Sequence, residues 1–143
     1  MESADRLTLA DGTRLRLRRW PAPARPAGHV LVVHGLGEHG GRYAHVAQAL
    51  AEAGWAAHGY DHRGHGDSDG ARGVLPHAMA LCEDLAAVLD TLPADAPRLL
   101  LGHSMGGLVA ARFVAEALAE APAAWSRPVD GLALSSPALA ADT

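Results

Sequence analysis

Residues 98–107 of this chain read Arg98-Leu-Leu-Leu-Gly-His-Ser-Met-Gly-Gly107, and they indicate its fold most directly. Its three consecutive leucines predict a short strand that is buried on both faces. Beyond the glycines, residues 105–121 carry apolar side chains at helical spacing, and Pro122 ends that pattern. The stretch therefore predicts a strand, a tight turn and a helix in direct succession, with Ser104 at the turn.

The serine and its neighbouring glycines fit the pattern G-x-S-x-G, which carries a serine on a strained turn between a strand and a helix. Such a turn projects the Ser104 hydroxyl above the sheet, where side chains at positions 102 and 106 would collide, so Gly102 and Gly106 fit. The N–H of Met105 lies at the helix N-terminus, where the helix dipole favours negative charge. We interpret Ser104 as a nucleophile and expect the adjacent His103 side chain to point away from it.

A second glycine-rich turn, His34-Gly35-Leu36-Gly37, follows the apolar run Val30–Val33. An acyl-transfer site needs two backbone donors for the developing oxyanion, and one of them comes from the loop after an earlier strand. The Leu36 N–H is the natural candidate because glycines on both sides let the backbone turn inward. A plain strand-ending turn is the alternative interpretation.

Strand and helix patterns alternate along the whole chain. The predicted strands are 7–9, 14–19, 29–33, 55–60, 98–102 and 131–135, and the predicted helices are 42–53, 78–92 and 105–121. Strands separated by helices favour right-handed crossovers and an α/β fold, a mostly parallel sheet of about six strands with helices on both faces. We expect the three apolar strands at 30–33, 55–60 and 99–101 to be central.

The strand Arg14–Arg19 is expected toward one edge of the sheet, in an antiparallel pair. Its leucines alternate with arginines, and we interpret the arginine side as a solvated face rather than a nucleic-acid patch. The dipeptide Asp11-Gly12 predicts a two-residue hairpin connection to the first strand.

Four ordered motifs together closely resemble the monoacylglycerol lipase and lysophospholipase branch of the α/β-hydrolase superfamily, a branch often grouped with the serine aminopeptidases. The motifs are His34-Gly-Leu-Gly-Glu-His-Gly-Gly-Arg-Tyr43, Asp61-His-Arg-Gly-His-Gly-Asp-Ser68, Gly102-His-Ser-Met-Gly-Gly107 and Leu134-Ser-Ser-Pro-Ala138. The resemblance implies an ester hydrolase with Ser104 as nucleophile and the Leu36 and Met105 N–H groups as oxyanion hole. It also implies an apolar acyl pocket under a helical cap. The motif positions that support this site are His34, Gly35, Gly37, Gly102, His103 and Gly106.

The chain departs from that family after Ser104. The family's catalytic triad runs in the order Ser, Asp or Glu, and His, but the residues after Ser104 include Asp130 and Asp142 and no histidine. Asp130 precedes the last predicted strand and should be distant from the serine. We therefore expect residues 1–143 to be the N-terminal part of a single α/β-hydrolase domain, without the cap, the later strands and both triad partners.

Composition narrows the function classes. The formal net charge of −4 argues against nucleic acid or an anionic membrane as the main partner. No apolar stretch is long enough to span a membrane, and the N-terminus has no secretory signal pattern, so we expect a cytoplasmic protein. His62 and His65, with Asp61 and Asp67, are candidate metal ligands, but the resemblance explains that segment without a metal. We predict no metal and no cofactor.

Three functions stay open at this point. The first is a serine ester hydrolase that acts on lipid-type carboxylic esters, monoacylglycerols or lysophospholipids, through an acyl-serine intermediate. The second is another serine hydrolase, such as an aminopeptidase or thioesterase, and the third is a non-catalytic truncated remnant. The chain alone should be nearly inactive, and the Gly131–Ser135 strand should form an exposed sheet edge that permits self-association.

Overall fold

The computed structural model describes residues 5–139, which form one six-stranded sheet in the order β1-β2-β4-β3-β5-β6. The strands are Arg6–Thr8 (β1), Arg14–Arg19 (β2), His29–Val33 (β3), Ala56–Tyr60 (β4), Arg98–His103 (β5) and Gly131–Ser135 (β6). The helices are Ala44–Glu52 (α1), Ala80–Leu89 (α2) and Met105–Ala117 (α3), and a 3₁₀ turn, Gly40–Tyr43, precedes α1. Strands β3 to β6 pair in parallel, whereas β1 and β2 pair antiparallel. The predicted α/β fold with a mostly parallel sheet of six strands is confirmed.

The centre of the sheet is β3, whose five residues are all buried between β4 and β5. The apolar strands are interior as predicted, and β3 and β4 are exchanged in space relative to their order in the sequence. β2 lies toward one edge and pairs antiparallel with β4, also as predicted. The parallel strands therefore bring the chain segments that follow β3, β4 and β5 to one common edge of the sheet.

Helices cover both faces of the sheet. On one face, α2 and α3 pack over a core that includes Leu31, Leu100, Tyr60, Leu85 and Phe113, all fully buried. The connection from β3 to β4 and the connection from β4 to β5 move in opposite directions across the sheet. Because both are right-handed crossovers, α1 lies on the face opposite α2. Within residues 5–139, no helix combines the length and apolar character that a membrane crossing requires.

The hairpin between β1 and β2 differs from the predicted two-residue connection. The N–H of Leu9 donates to the Thr13 carbonyl, and the N–H of Gly12 donates to the Leu9 carbonyl. The loop therefore has three residues, with Gly12 in the left-handed region at φ 86°. The Asp11 side chain accepts a hydrogen bond from the Thr13 N–H and stabilises this turn.

The arginine face of β2 is solvated at Arg14, whose side chain is 58% exposed, but the prediction of a solvated face is wrong for Arg16 and Arg18. Its arginines pair with acidic residues of the loop that follows β4: Arg14 with Asp69 (3.2 Å), Arg16 with Asp67 (2.9 Å) and Arg18 with Asp61 (2.8 Å). Arg18 is buried as a result. Residues 61–69 thus form an anchored loop, held against β2 by charge-assisted hydrogen bonds.

Helix α3 ends at Ala117, four residues before the predicted end at Ala121. The Glu116 carboxylate accepts a hydrogen bond from the N–H of Ala123, so the chain folds back on the last helical turn. Pro122 also disfavours helical backbone at the residue before it.

The face of the sheet that α1 covers is only partly buried at β5 and β6. Leu100 is fully buried, but Leu99 and Leu101, which point to the α1 face, are half-buried. Among the described residues, β6 pairs with β5 alone, and its Leu134 is 40% exposed. An open edge with apolar side chains is where another strand can add, so association through β6 remains a prediction.

The substitution Leu100→Ala should lower the free energy of unfolding by about 3 kcal/mol, because it leaves a cavity between the sheet and the α2–α3 layer. The matched substitution Leu134→Ala, on the exposed part of β6, should cost less than about 1 kcal/mol. Urea unfolding followed by circular dichroism measures both. Equal losses at the two positions would contradict the assignment of β5 to the interior and β6 to the edge.

Candidate active site

Ser104 occupies a strained turn between the end of β5 and the start of α3. Its backbone angles are φ 55° and ψ −120°, a region that residues other than glycine rarely adopt. Hydrogen bonds hold this conformation: the N–H of Ser104 donates to the Ser135 carbonyl, and the Ser104 carbonyl accepts from the N–H of Ala138. The structure therefore has the strand, turn and helix that the G-x-S-x-G pattern predicts.

The glycines of this turn have no room for a side chain. A Cβ at Gly102 would lie 2.5 Å from the Gly106 carbonyl oxygen and 2.7 Å from Cα of Gly107. A Cβ at Gly106 would overlap the carbonyl oxygens of Val33 and His34. The first turn of α3 is thus packed directly on the end of β3, which brings Ser104 next to the loop that follows β3.

That loop, residues 34–38, lies against the serine. A Cβ at Gly35 would be 3.1 Å from Cβ of Ser104, and Gly37 has a left-handed φ of 76°. Among residues 5–139, no acceptor receives a hydrogen bond from the N–H of Leu36 or of Met105. Two unpaired backbone donors beside a serine are what an oxyanion hole requires, and Leu36 and Met105 remain the predicted pair.

Two buried histidines support the loop. His34 and His62 are both fully buried, with ring centroids 4.2 Å apart. The N–H of His62 donates to Nε2 of His34 at 2.9 Å. The His34 ring contacts the Gly35 carbonyl through Nδ1 at 2.7 Å, and the His62 ring contacts the His34 carbonyl through Nε2 at 2.8 Å. The pair therefore ties the loop after β3 to the anchored loop.

Both of these histidines are neutral at pH 7. Burial lowers the pKa of His34 to about 4 and the pKa of His62 to about 3. Sequence reasoning selected His34 as a motif residue but treated His62 only as a candidate metal ligand. The one feature of the sequence that points to a role for His62 is its place in the motif 61–68. Its contact with His34 joins residues distant in the chain, so local pattern does not predict it.

The anchored loop is held by a buried carboxylate. Asp61 is fully buried and accepts two hydrogen bonds from Arg18, both at 2.8 Å, and one each from the N–H groups of Gly40 and Asp67. Burial alone would raise the pKa of Asp61, but these four donors outweigh it and lower the pKa to about 2. Asp61 is thus ionised, and its hydrogen bonds hold the anchored loop to β2 and to the 3₁₀ turn.

The candidate metal ligands of this loop make hydrogen bonds within the protein. His65 contacts the Arg63 carbonyl through Nδ1 at 3.1 Å, and Arg63 makes a bidentate pair with Asp84 at 2.7 and 2.8 Å. In the part of the chain that the structure describes, no group of three or more histidine, cysteine or acidic side chains is arranged to hold a metal ion.

Neither triad partner reaches Ser104 among the described residues. The His103 ring turns to Ser135, whose hydroxyl lies 2.9 Å from Nδ1. Asp130 accepts a hydrogen bond from the N–H of Arg98, the first residue of β5, whereas Ser104 follows the last residue of that strand. Asp130 is therefore at the opposite end of the sheet from the serine, as its position in the sequence indicates.

Comparison with known proteins shows the family to which this chain belongs. The sequence profile described as serine aminopeptidase, S33, matches residues 24–143, so the chain belongs to this family of α/β-hydrolases. It is 41% identical over 99 residues to the monoacylglycerol lipase of Mycolicibacterium smegmatis and 39% identical over 113 residues to the monoglyceride lipase of Rattus norvegicus. The resemblance to the monoacylglycerol lipase branch predicted from the four motifs is confirmed.

These matches cover most of this chain but a minor part of each relative. They span 67% of this chain and 35% of the M. smegmatis protein, and 77% of this chain and 37% of the rat protein. Among solved structures, a soluble variant of monoglyceride lipase from Saccharomyces cerevisiae matches 96% of this chain and 44% of its own chain. The TM-score is 0.80 at 21% sequence identity, a likeness in fold.

We expect the protein to lose stability as the pH falls from 7 to about 4. Unfolded histidines, with a pKa of about 6.5, take up protons in this range. Folded His34, His58 and His62 have pKa values of about 4, 4 and 3 and stay mostly neutral. The unfolded state binds more protons, so the free energy of unfolding falls over this pH range by on the order of a few kcal/mol in total. Below about pH 4, protonation of unfolded aspartate adds a further loss, because folded Asp61 has a pKa of about 2.

Urea unfolding at a series of pH values measures this slope. The control variant His45→Gln replaces a histidine that is exposed rather than buried. A free energy of unfolding that is constant between pH 7 and about pH 4 would contradict the neutral state of the buried histidines.

Proposed function

We propose that this chain supplies the nucleophile and the oxyanion hole of a serine hydrolase that cleaves lipid-type carboxylic esters, monoacylglycerols or lysophospholipids. The observation that carries the proposal is the strained Ser104 turn, with the unpaired N–H groups of Leu36 and Met105 in the two segments next to it. The relatives named monoacylglycerol or monoglyceride lipase support the substrate class.

The chemistry is acyl transfer to Ser104. The serine oxygen attacks the ester carbonyl while a general base removes its proton, and the resulting oxyanion accepts hydrogen bonds from the two N–H groups. Collapse of this intermediate breaks the bond to the alcohol. The alcohol takes the proton from the base and departs, and an acyl-serine remains on the enzyme. Water activated by the same base then attacks the acyl group and releases the fatty acid and the free serine.

The base and the acid that orients it come, in this proposal, from polypeptide outside residues 5–139. His34 and His62 are buried, neutral and engaged at ring nitrogens, and the His103 ring is turned to Ser135. A serine hydroxyl at neutral pH is a poor nucleophile until a base takes its proton.

A mostly apolar cavity of about 340 Å³ between α3 and residues 75–82 supports a lipid substrate. Its lining includes Leu75, Met79, Met105, Leu108 and Val109. Leu75 and Leu108 are exposed at 43% and 44%, so the cavity presents unburied apolar surface that an acyl chain would cover. It adjoins Met105, the proposed donor residue.

A second candidate is another serine hydrolase reaction, since the family profile is described as serine aminopeptidase. The same nucleophile and oxyanion hole serve esters, thioesters and amides. A panel of glyceryl esters, acyl thioesters and aminoacyl amides separates these reactions. Preference for the aminoacyl amides would replace the lipase proposal with the aminopeptidase one.

We expect residues 1–143 alone to hydrolyse short-chain esters barely above background, because loss of triad partners costs on the order of 10⁶ in turnover. Fusion to the C-terminal segment of the M. smegmatis relative, which extends beyond the matched region, should restore activity. Ser104→Ala should abolish the restored activity, whereas the control Ser126→Ala should keep it. Steady-state turnover is measured with monoacylglycerol and p-nitrophenyl esters.

Two results would overturn the proposal. Turnover by the monomeric 143-residue chain that Ser104→Ala abolishes would place a base within the chain. Full activity of the Ser104→Ala fusion protein would remove the serine from the mechanism. A folded chain that no fusion activates would favour the non-catalytic alternative.

A further inference from the structure

Two consecutive peptide groups of the loop after β3 are each fixed by an imidazole ring. The carbonyl of His34 lies 2.8 Å from Nε2 of His62, and the carbonyl of Gly35 lies 2.7 Å from Nδ1 of His34. These carbonyls belong to the His34–Gly35 and Gly35–Leu36 peptide groups. Because glycine adopts many backbone conformations, such a loop has little intrinsic preference for one orientation of these groups.

The contacts determine which nitrogen of each ring carries the proton. The N–H of His62 donates to Nε2 of His34, so this nitrogen is an acceptor and the proton of the neutral His34 ring is on Nδ1. The His34 ring therefore donates to the Gly35 carbonyl. In His62, Nε2 faces a carbonyl and must therefore be the donor. The other ring nitrogen, Nδ1, carries no proton; it is buried and has no partner among the described residues.

Peptide planarity carries this constraint to Leu36. In a planar trans peptide, the N–H points opposite to the C=O of the same group. The bond from His34 to the Gly35 carbonyl therefore sets the direction of the Leu36 N–H. Rotation of this peptide by half a turn would present the carbonyl oxygen in place of the donor, and two oxygens of like partial charge would repel.

We propose that His34 is a positioning residue that fixes the Leu36 N–H as an oxyanion donor, and that His62 sets the tautomer His34 needs for this task. The inference deepens the proposed function and rests on it for the role of Leu36. The hydrogen-bond arrangement itself is independent of any activity. Neither histidine touches the reacting atoms in this arrangement.

The tautomers are measured first, on the unmodified 143-residue chain. Long-range ¹H–¹⁵N correlation spectra at pH 7 should show His34 as the Nδ1–H tautomer and His62 as the Nε2–H tautomer. The exposed His45 serves as an internal reference for a ring free to exchange. An Nε2–H tautomer at His34 would overturn the proposal, whatever the activity of the protein.

Two substitutions at one position then separate donation from mere packing. The amide of asparagine in His34→Asn places a donor near the former Nδ1, whereas the longer side chain in His34→Gln reaches the former Nε2 position and accepts from the His62 N–H. In the fusion protein with the C-terminal segment, His34→Gln should lower kcat by about 10² to 10³ with little change in KM, the range for loss of one oxyanion donor. His34→Asn should lose less than about tenfold, and the control His45→Gln should change neither constant.

The outcomes for this inference and for the proposed function are distinguishable. If the tautomers are as stated but the fusion protein has no activity, the two histidines hold the loop after β3 by hydrogen bonds but the proposed function fails. If the fusion protein is active and His34→Gln and His34→Asn lose kcat equally, the positioning role is wrong and the proposed function stands. Should either variant unfold, the tautomers of the unmodified chain decide the inference.

Discussion

The contact between Gly106 and the end of β3 is the constraint on which the site depends. The carbonyl oxygens of Val33 and His34 occupy the space that a Cβ at position 106 would need. Because Gly106 lies in α3 and Val33 in β3, even one methyl group at this contact would push α3 away from the sheet. The distance between the Ser104 turn and the loop after β3 is therefore set by backbone packing rather than by flexible side chains.

A second support reaches the same loop from the opposite direction. The arginines of β2 hold the anchored loop through acidic partners, and the most buried of these pairs joins Arg18 to the fully buried Asp61. Removing either partner would leave an uncompensated buried charge, which typically costs several kcal/mol. The anchored loop in turn carries His62, which contacts His34. An antiparallel strand without any catalytic group thus helps to position the proposed oxyanion donor.

The sequence predicts those features that follow from local pattern. Three leucines before the glycines indicate β5, and the glycine–serine spacing indicates the Ser104 turn, because both depend on neighbours within a few residues. The sequence pattern gave the wrong interpretation of Arg16 and Arg18, since their acidic partners lie 51 and 43 residues away along the chain. The contact between His34 and His62 was missed for the same reason.

The open edge at β6 bears on how a base could reach Ser104. Three of the described histidines already have hydrogen-bond partners: His34 and His62 hold the loop after β3, and the His103 ring lies at Ser135. A strand that adds parallel to β6 would end at the same edge of the sheet as β5, the edge where residues that follow parallel strands converge. The half-buried Leu101 and exposed Leu134 leave apolar surface for such a segment to cover. A residue that follows such an added strand would therefore lie at the edge of the sheet where the proposed nucleophile is found.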